Sequence, residues 1–258
     1  MSYKNHRTIT NKLEIQEFKQ KFAGKSQISF ADFRSYYIEH EPGIPEATIR
    51  WRVYDLSRKG IIQRIGHGIY RLGQGIIFTP SISIRARKIY NSVKKTFPYA
   101  TTCIWHTSIL NEFMIHQPAK FNLLVEVEKE AVEPVYYFFK GKHEGVFMNP
   151  DERMYRDYIA GERESIIVKT LISEAPVRKV DNISVPTLEK ILVDIYCDTV
   201  IFSSFAGKEM QNIYKYSFEK YSINFSAFYR YADRRNKKEE IHKYIKRLNL
   251  APGINNIF

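Results

Sequence analysis

A chain of 258 residues with 44% hydrophobic and 14% aromatic side chains can bury a substantial core, as one large domain or two ordinary ones, which excludes a disordered chain. No apolar run approaches the ~20 residues of a membrane helix, and "MSYKNHRTITNKLE" lacks an apolar signal region, so a soluble, cytoplasmic protein with no membrane partner is expected. The net charge of +12 is uneven: residues 1–79 hold 13 Lys/Arg against 7 Asp/Glu, residues 80–222 hold 19 against 18, and residues 223–258 hold 8 against 3.

Three helical segments come first. "TNKLEIQEFKQKF" (10–22) repeats its apolar positions at helical spacing. "SFADFRSYYIEH" opens with Ser29 and carries Asp32 three residues on, a capping-box pattern, with Phe30, Phe33 and Tyr37 on one face. "EPGIP" breaks the chain, and "PEATIRWRVYDLSRKG" forms the third helix, closed by Gly60. At about 100° per residue, Ile49, Val53 and Leu56 face a core. Ala47, Trp51, Tyr54 and Arg58 fall on the opposite side, flanked by Arg50 and Arg52.

Next, "IIQRI" and "IYRL" read as two strands around Gly66-His67-Gly68. Helix, helix, turn, helix and a two-stranded ribbon is the winged helix-turn-helix order, in which the third helix enters the major groove and the wing meets phosphates. No acid occurs between Asp55 and Glu112, while Arg58, Lys59, Arg64, Arg71, Arg85, Arg87, Lys88, Lys94 and Lys95 all lie there. So one-sided a run repels itself and points to an anionic partner, nucleic acid foremost. The expected DNA contacts are Arg50, Trp51, Arg52 and Tyr54 toward bases or sugars, and Arg58, Lys59, Arg64, His67 and Arg71 toward phosphates. Basic residues from Arg85 to Lys95 and from Arg230 to Lys246 extend the positive face.

"GQGIIFTPSIS" (73–83) reads as a linker, with Ser81 opening a basic helix, so the expected domains are 1–75 (winged helix) and 80–258. Strands "TTCIW", "FNLLVEVE", "GVFM" and "ESIIVKTL" alternate with helices "HTSILNEFM" and "EAVEPVYYFFKG", with "NPDERMYRDY" as a polar turn. From "VPTLEKILVDIYCD" onward the chain is helical. The fold class is therefore α+β (mixed α/β): a winged helix followed by a larger α/β domain with a helical C-terminal part.

Catalytic, metal and cofactor candidates are thin. Cys103 and Cys197 sit in apolar contexts without ligand spacing and read as reduced thiols. Glu126 and Glu128 share a strand face beside Lys129, and His106, Glu112 and His116 lie on one segment, but neither set has the spacing of a known site. No phosphate-binding loop, nucleophile elbow or paired-cysteine motif occurs, so no enzyme, cofactor or metal is expected.

Three stretches taken in order, "TIRWRVYDLSRKGIIQRIGHGIYRLG", "VPTLEKILVDIY" and "YSINFSAFYRYADRRNKKEEIHKYI", resemble the AbiEi-type antitoxins of bacterial type IV toxin–antitoxin (abortive-infection) systems. The matching features are Gly68-Ile69-Tyr70 in the wing, then Pro186, Glu189-Lys190 and Leu192-Val193-Asp194, and finally Tyr231-Ala232-Asp233-Arg234-Arg235. The resemblance implies an autorepressing antitoxin that binds operator DNA, as a dimer or as two protomers on repeats, and opposes a nucleotidyltransferase-like toxin. The middle of this chain is longer and richer in aromatics than in a minimal member. Two rival readings are a metal-dependent nuclease or modifying enzyme targeted by the winged helix, and a winged helix that only binds protein.

Overall fold

The structure, a computed structural model, describes residues 14–66, 68–73 and 75–250. It divides into two compact units: one takes the described residues up to Phe78 with Phe218–Ser226 and those from Ile245, the other Thr79–Ser217 and Ala227–Tyr244.

In the first unit, α1 (Ile15–Lys21), β1 (Ile28–Ser29), α2 (Phe30–His40), α3 (Glu46–Arg58), β2 (Ile62–Gly66) and β3 (Ile69–Leu72) follow in the winged-helix order. Positions 10–13 of the first expected helix lie outside the described residues, as do His67 and Gln74. The two-residue β1 is an addition to the expected elements; it pairs with β3 and completes a sheet of order β1-β3-β2. Ser29 starts α2 as expected. Its Oγ accepts the Asp32 N–H at 3.2 Å, while the Asp32 carboxylate accepts the Ser29 N–H at 2.7 Å. Hydrogen bonding from Lys25, then from the Ser29 backbone, holds the Asp32 carboxyl down to about 2. The core joins Phe18, Phe33 and Tyr37 to Ile49, Val53 and Leu56 of α3, with the Phe18 and Phe33 rings stacked at 5.6 Å. In the wing, Arg64 pairs with Tyr70 and Gly66 with Ile69, a bulge leaving Ile65 buried.

The second unit is built on a sheet of order β4-β5-β7-β6, from β4 (Thr102–His106), β5 (Phe121–Val127), β6 (Val146–Met148) and β7 (Glu164–Thr170). Only β4 runs antiparallel; β5, β6 and β7 are parallel. Leu123, Val125 and Val127 of β5, with Ile104, Ile166 and Val168, face α4 (Ile84–Thr96) and α5 (Val132–Lys140) in one apolar core. Ser83 rather than Ser81 caps α4, its Oγ accepting the Ala86 N–H at 3.1 Å.

Two further departures have local causes. "NPDERMYRDY" is helical rather than a turn: Asp151 caps the Met154 N–H at 2.7 Å, and Glu152–Met154 runs into a wider turn over Tyr155–Ile159. The hairpin of β8 (Val177–Val180) and β9 (Ile183–Pro186) is likewise an addition to the expected strands. Its two-residue loop, Asp181-Asn182, has φ of 47° and 64°, the left-handed pair that a tight hairpin demands. After it come α6 (Leu188–Cys197), α7 (Lys208–Lys220), α8 (Phe225–Arg234) and α9 (Lys238–Arg247).

On the other sheet face, strand register lines up Cys103, Glu126 and Lys169 across β4, β5 and β7. Lys190 of α6 donates to both Glu126 oxygens at 2.6 and 2.7 Å and to Asp194 at 2.5 Å. Asp194 also accepts from Tyr231 at 2.8 Å and Arg235 at 2.7 Å, and Asp198 joins Arg235 at 2.7 Å to Lys169 at 2.5 Å. Three acids thus meet three bases. Burial alone would lower Lys190 and raise Asp198, but the facing charges outweigh it and shift both the other way.

Removing one partner strands buried charge, so Lys190→Met is expected to destabilise the protein by about 3–5 kcal/mol in urea unfolding. The Asp198 share of stability is present above the unfolded value of 3.8 and lost as pH falls through its lower folded value. The Lys190 share is present below 10.5 and lost as pH rises through its higher folded value. A pH series of unfolding midpoints that stays flat at both ends would contradict this.

Candidate nucleic-acid interface

The outward stripe of α3 and the wing enclose a groove of about 500 Å³ within the first unit. Arg50, Val53, Tyr54, Ser57 and Arg58 line one side, at the i, i+3, i+4 spacing that puts residues on one helical face, and Arg64 and Tyr70 line the other. Phe30, Asn224 and Ser226 complete it. Tyr54 is 63% exposed and Trp51 47%.

Arg50, Arg58 and Lys59 each have an acidic partner within one turn of α3. Arg50 bonds Glu46 one turn back at 2.6 Å and lies 4.8 Å over the Phe30 ring. Its pair with Glu46 is exposed on both sides, an interaction worth only about 0.3–0.5 kcal/mol that a phosphate can replace. Arg58 and Lys59 both reach the buried Asp55 carboxylate, at 3.2 and 2.8 Å, with the Arg58 side chain 68% exposed.

Other expected DNA-facing residues lie elsewhere. Arg52, expected to reach bases, is buried: it stacks 4.8 Å over Tyr37 and bonds Glu41 at 2.5 Å, so it braces α3 against α2. A position flanking the polar face of a helical wheel becomes interior when the preceding helix crosses it. Arg71 is half-buried. Its Nε donates to Gln63 across the wing at 2.8 Å and its guanidinium covers Phe225 at 5.3 Å, the desolvation lowering its pKa. His67 lies outside the described residues. The structure therefore brings together Arg50, Tyr54, Arg58 and Arg64, leaves Trp51 exposed on the same helix, and gives Arg52 and Arg71 structural partners.

The acid-free run is also less one-sided in space than in sequence. In the second unit Arg85 pairs with Glu164 at 2.6 Å and Arg87 with Asp181 at 2.9 Å, while Lys94 caps the Pro98 and Ala100 carbonyls. Acids distant in the chain supply the neutralisation. Lys88 and Lys95 are both exposed.

The weaker candidates find plain partners. Glu126 is sealed behind Trp105 Nε1, which donates to it at 2.7 Å, and Lys190. His106 hydrogen-bonds Ser108 at the start of its helical turn and approaches Glu164 at 3.4 Å, while His116 turns to Glu209 at 2.8 Å. Cys103 and Cys197 are unbridged, and burial raises the Cys197 thiol to about 11. Among the described residues, Glu14, Glu17 and His40 bring possible ligand atoms within 4.8 Å of one another on the surface, with His40 already bonded to the Tyr36 carbonyl. No helix among the described residues is long and apolar enough to cross a membrane.

Helix, short strand, helix, a further helix and a hairpin wing, with arginine and tyrosine between the last two, define a winged helix-turn-helix. Residues 20–73 match the family described as "Transcriptional regulator, AbiEi antitoxin". The chain belongs to the family described as "Family of unknown function (DUF6577)", which it matches over residues 48–251. The two matches overlap on residues 48–73, which hold most of α3 and the wing. No curated protein matches the sequence.

Arg52→Ala is expected to lower the stability of the protein by about 1–3 kcal/mol, because it removes both the packing on Tyr37 and the Glu41 pair. Thermal unfolding checks this; a wild-type midpoint would return Arg52 to the surface.

Proposed function

We propose that this chain is a DNA-binding transcriptional autorepressor and the antitoxin of a type IV toxin–antitoxin pair, working in the cytoplasm without catalysis of its own. The observation that carries the reading is the groove in which Arg50 and Arg58 of α3 face Arg64 and Tyr70 of the wing. Duplex DNA presents phosphates at the spacing at which a helix in the major groove and a flanking wing can both reach them. Tyr54 and Trp51 project from the same helix and supply contacts to sugars or base edges. The match of residues 20–73 to AbiEi antitoxin regulators supports the same use of these elements. The opposing toxin is of the nucleotidyltransferase type, and operator binding involves a dimer or two protomers on repeats.

Fluorescence anisotropy with the duplex upstream of the protein's own reading frame tests DNA binding. Arg50→Ala with Arg58→Ala should weaken binding and lower the slope of log K against log salt by roughly 2, about 0.9 for each phosphate no longer neutralised. Lys59 remains as the partner of Asp55 in that variant, and its unfolding midpoint checks that it folds. Wild-type affinity and slope in the double variant would sink the reading. For the antitoxin role, co-expression with the neighbouring reading frame should restore growth that this neighbour alone arrests; no rescue would count against it.

A further inference from the structure

One wall of the groove comes from far along the chain. The segment 221–226 belongs to the first unit and is pinned at several points. Tyr221 meets Phe78 edge-on at 5.2 Å, and Ser222 donates its N–H to the Ile76 carbonyl and its hydroxyl to the Gly60 carbonyl, each at 2.8 Å. Ile223 and Phe225 are buried, Phe225 beneath Arg71. The alternation leaves Asn224 and Ser226 exposed, and both line the groove with Arg50, Arg58 and Arg64.

Two glycines make room for this segment. A Cβ on Gly73 would stand 2.2 Å from the Gly60 carbonyl oxygen and 2.8 Å from Ser222 Oγ, and one on Gly60 would stand 3.1 Å from that same Oγ. The wing and the end of α3 are thus shaped to receive residue 222, and with it the presentation of Asn224 and Ser226.

The geometry points to a second source of DNA contacts: Asn224 and Ser226 hydrogen-bond the backbone of the duplex strand that lies between α3 and the wing. This rests on the DNA-binding reading above. Three arginines around the groove draw an anionic backbone into it, and short neutral donors such as an amide and a hydroxyl position phosphates without adding charge. Residues 221–226 then act as an extra clamp.

The test uses the full-length protein and a mixed-sequence DNA duplex, at salt high enough to screen charges beyond the groove. Both positions are exposed, and unfolding midpoints confirm that the variants fold. Asn224→Lys places a cation at the backbone and should steepen the salt slope by about 0.9. Ser226→Asp sets a carboxylate against phosphate and should weaken binding by about tenfold, the equivalent of one hydrogen bond to a charged group. Arg50→Ala with Arg58→Ala is the reference. If that reference loses binding while Asn224→Lys and Ser226→Asp keep wild-type affinity and slope, residues 221–226 only brace the wing and the proposal falls. If wild type and the arginine variant bind the duplex alike, the DNA-binding reading itself falls, and this clamp with it.

Discussion

The second unit is organised around one buried ammonium. Lys190 has no exposed surface, and an uncompensated charge there would cost several kcal/mol. Its three donors go to Glu126 and Asp194, and Asp194 must then be shared with Tyr231 and Arg235. Each requirement recruits another element: β5 for Glu126, α6 for Lys190 and Asp194, the end of α8 for Arg235, and β7 for the Lys169 that balances Asp198. The sheet register that aligns Glu126 with Lys169, and the helices that cover this face, follow from satisfying that set. An apolar face would pack in many registers, whereas a charge with fixed acceptors permits few.

This gives the resemblance motifs a physical meaning. Glu189-Lys190, Asp194 and the Tyr231-to-Arg235 stretch are separated in sequence, yet Lys190, Asp194, Tyr231 and Arg235 converge on one network. Their chemistry is assembly. Leu188, Ile191, Leu192 and Ile195 make an apolar face of α6 and are buried, and so are Glu189, Lys190 and Asp194 on the other sides. A helix buried all round, with its charges paired internally, does not announce itself through periodicity, because the polar positions look solvent-facing until their partners are known.

Elements governed by local rules are legible in the sequence. The Ser29–Asp32 box, the Pro-Gly-Pro break before α3, the inward face of Ile49, Val53 and Leu56, and the wing all depend on residues within a few positions of one another. What is not legible depends on distant partners: Arg52 turned inward by Glu41 and Tyr37, Arg85 and Arg87 neutralised by Glu164 and Asp181, and Asn224 and Ser226 beside α3. The β8–β9 hairpin is a different case, since Asp-Asn between two short β-branched runs is itself a local turn signal. In the candidate site, residue type marks the surface, and tertiary packing decides which arginines stay on it.

The bond from Ser222 to the Gly60 carbonyl spans 162 residues, and that interval has a cost in time. A ribosome adds about 5–20 residues per second, so after Gly60 emerges the chain waits on the order of ten seconds for its partner. During that interval the Gly60 carbonyl, Phe78 and the underside of Arg71 lack the residues that later cover them. A nascent chain therefore carries its helix-turn-helix early but finishes the wing's surroundings late. Maturation of the first unit is tied to synthesis of the chain as far as Phe225, and a product terminated before that point would present the recognition-type helix on an unfinished support.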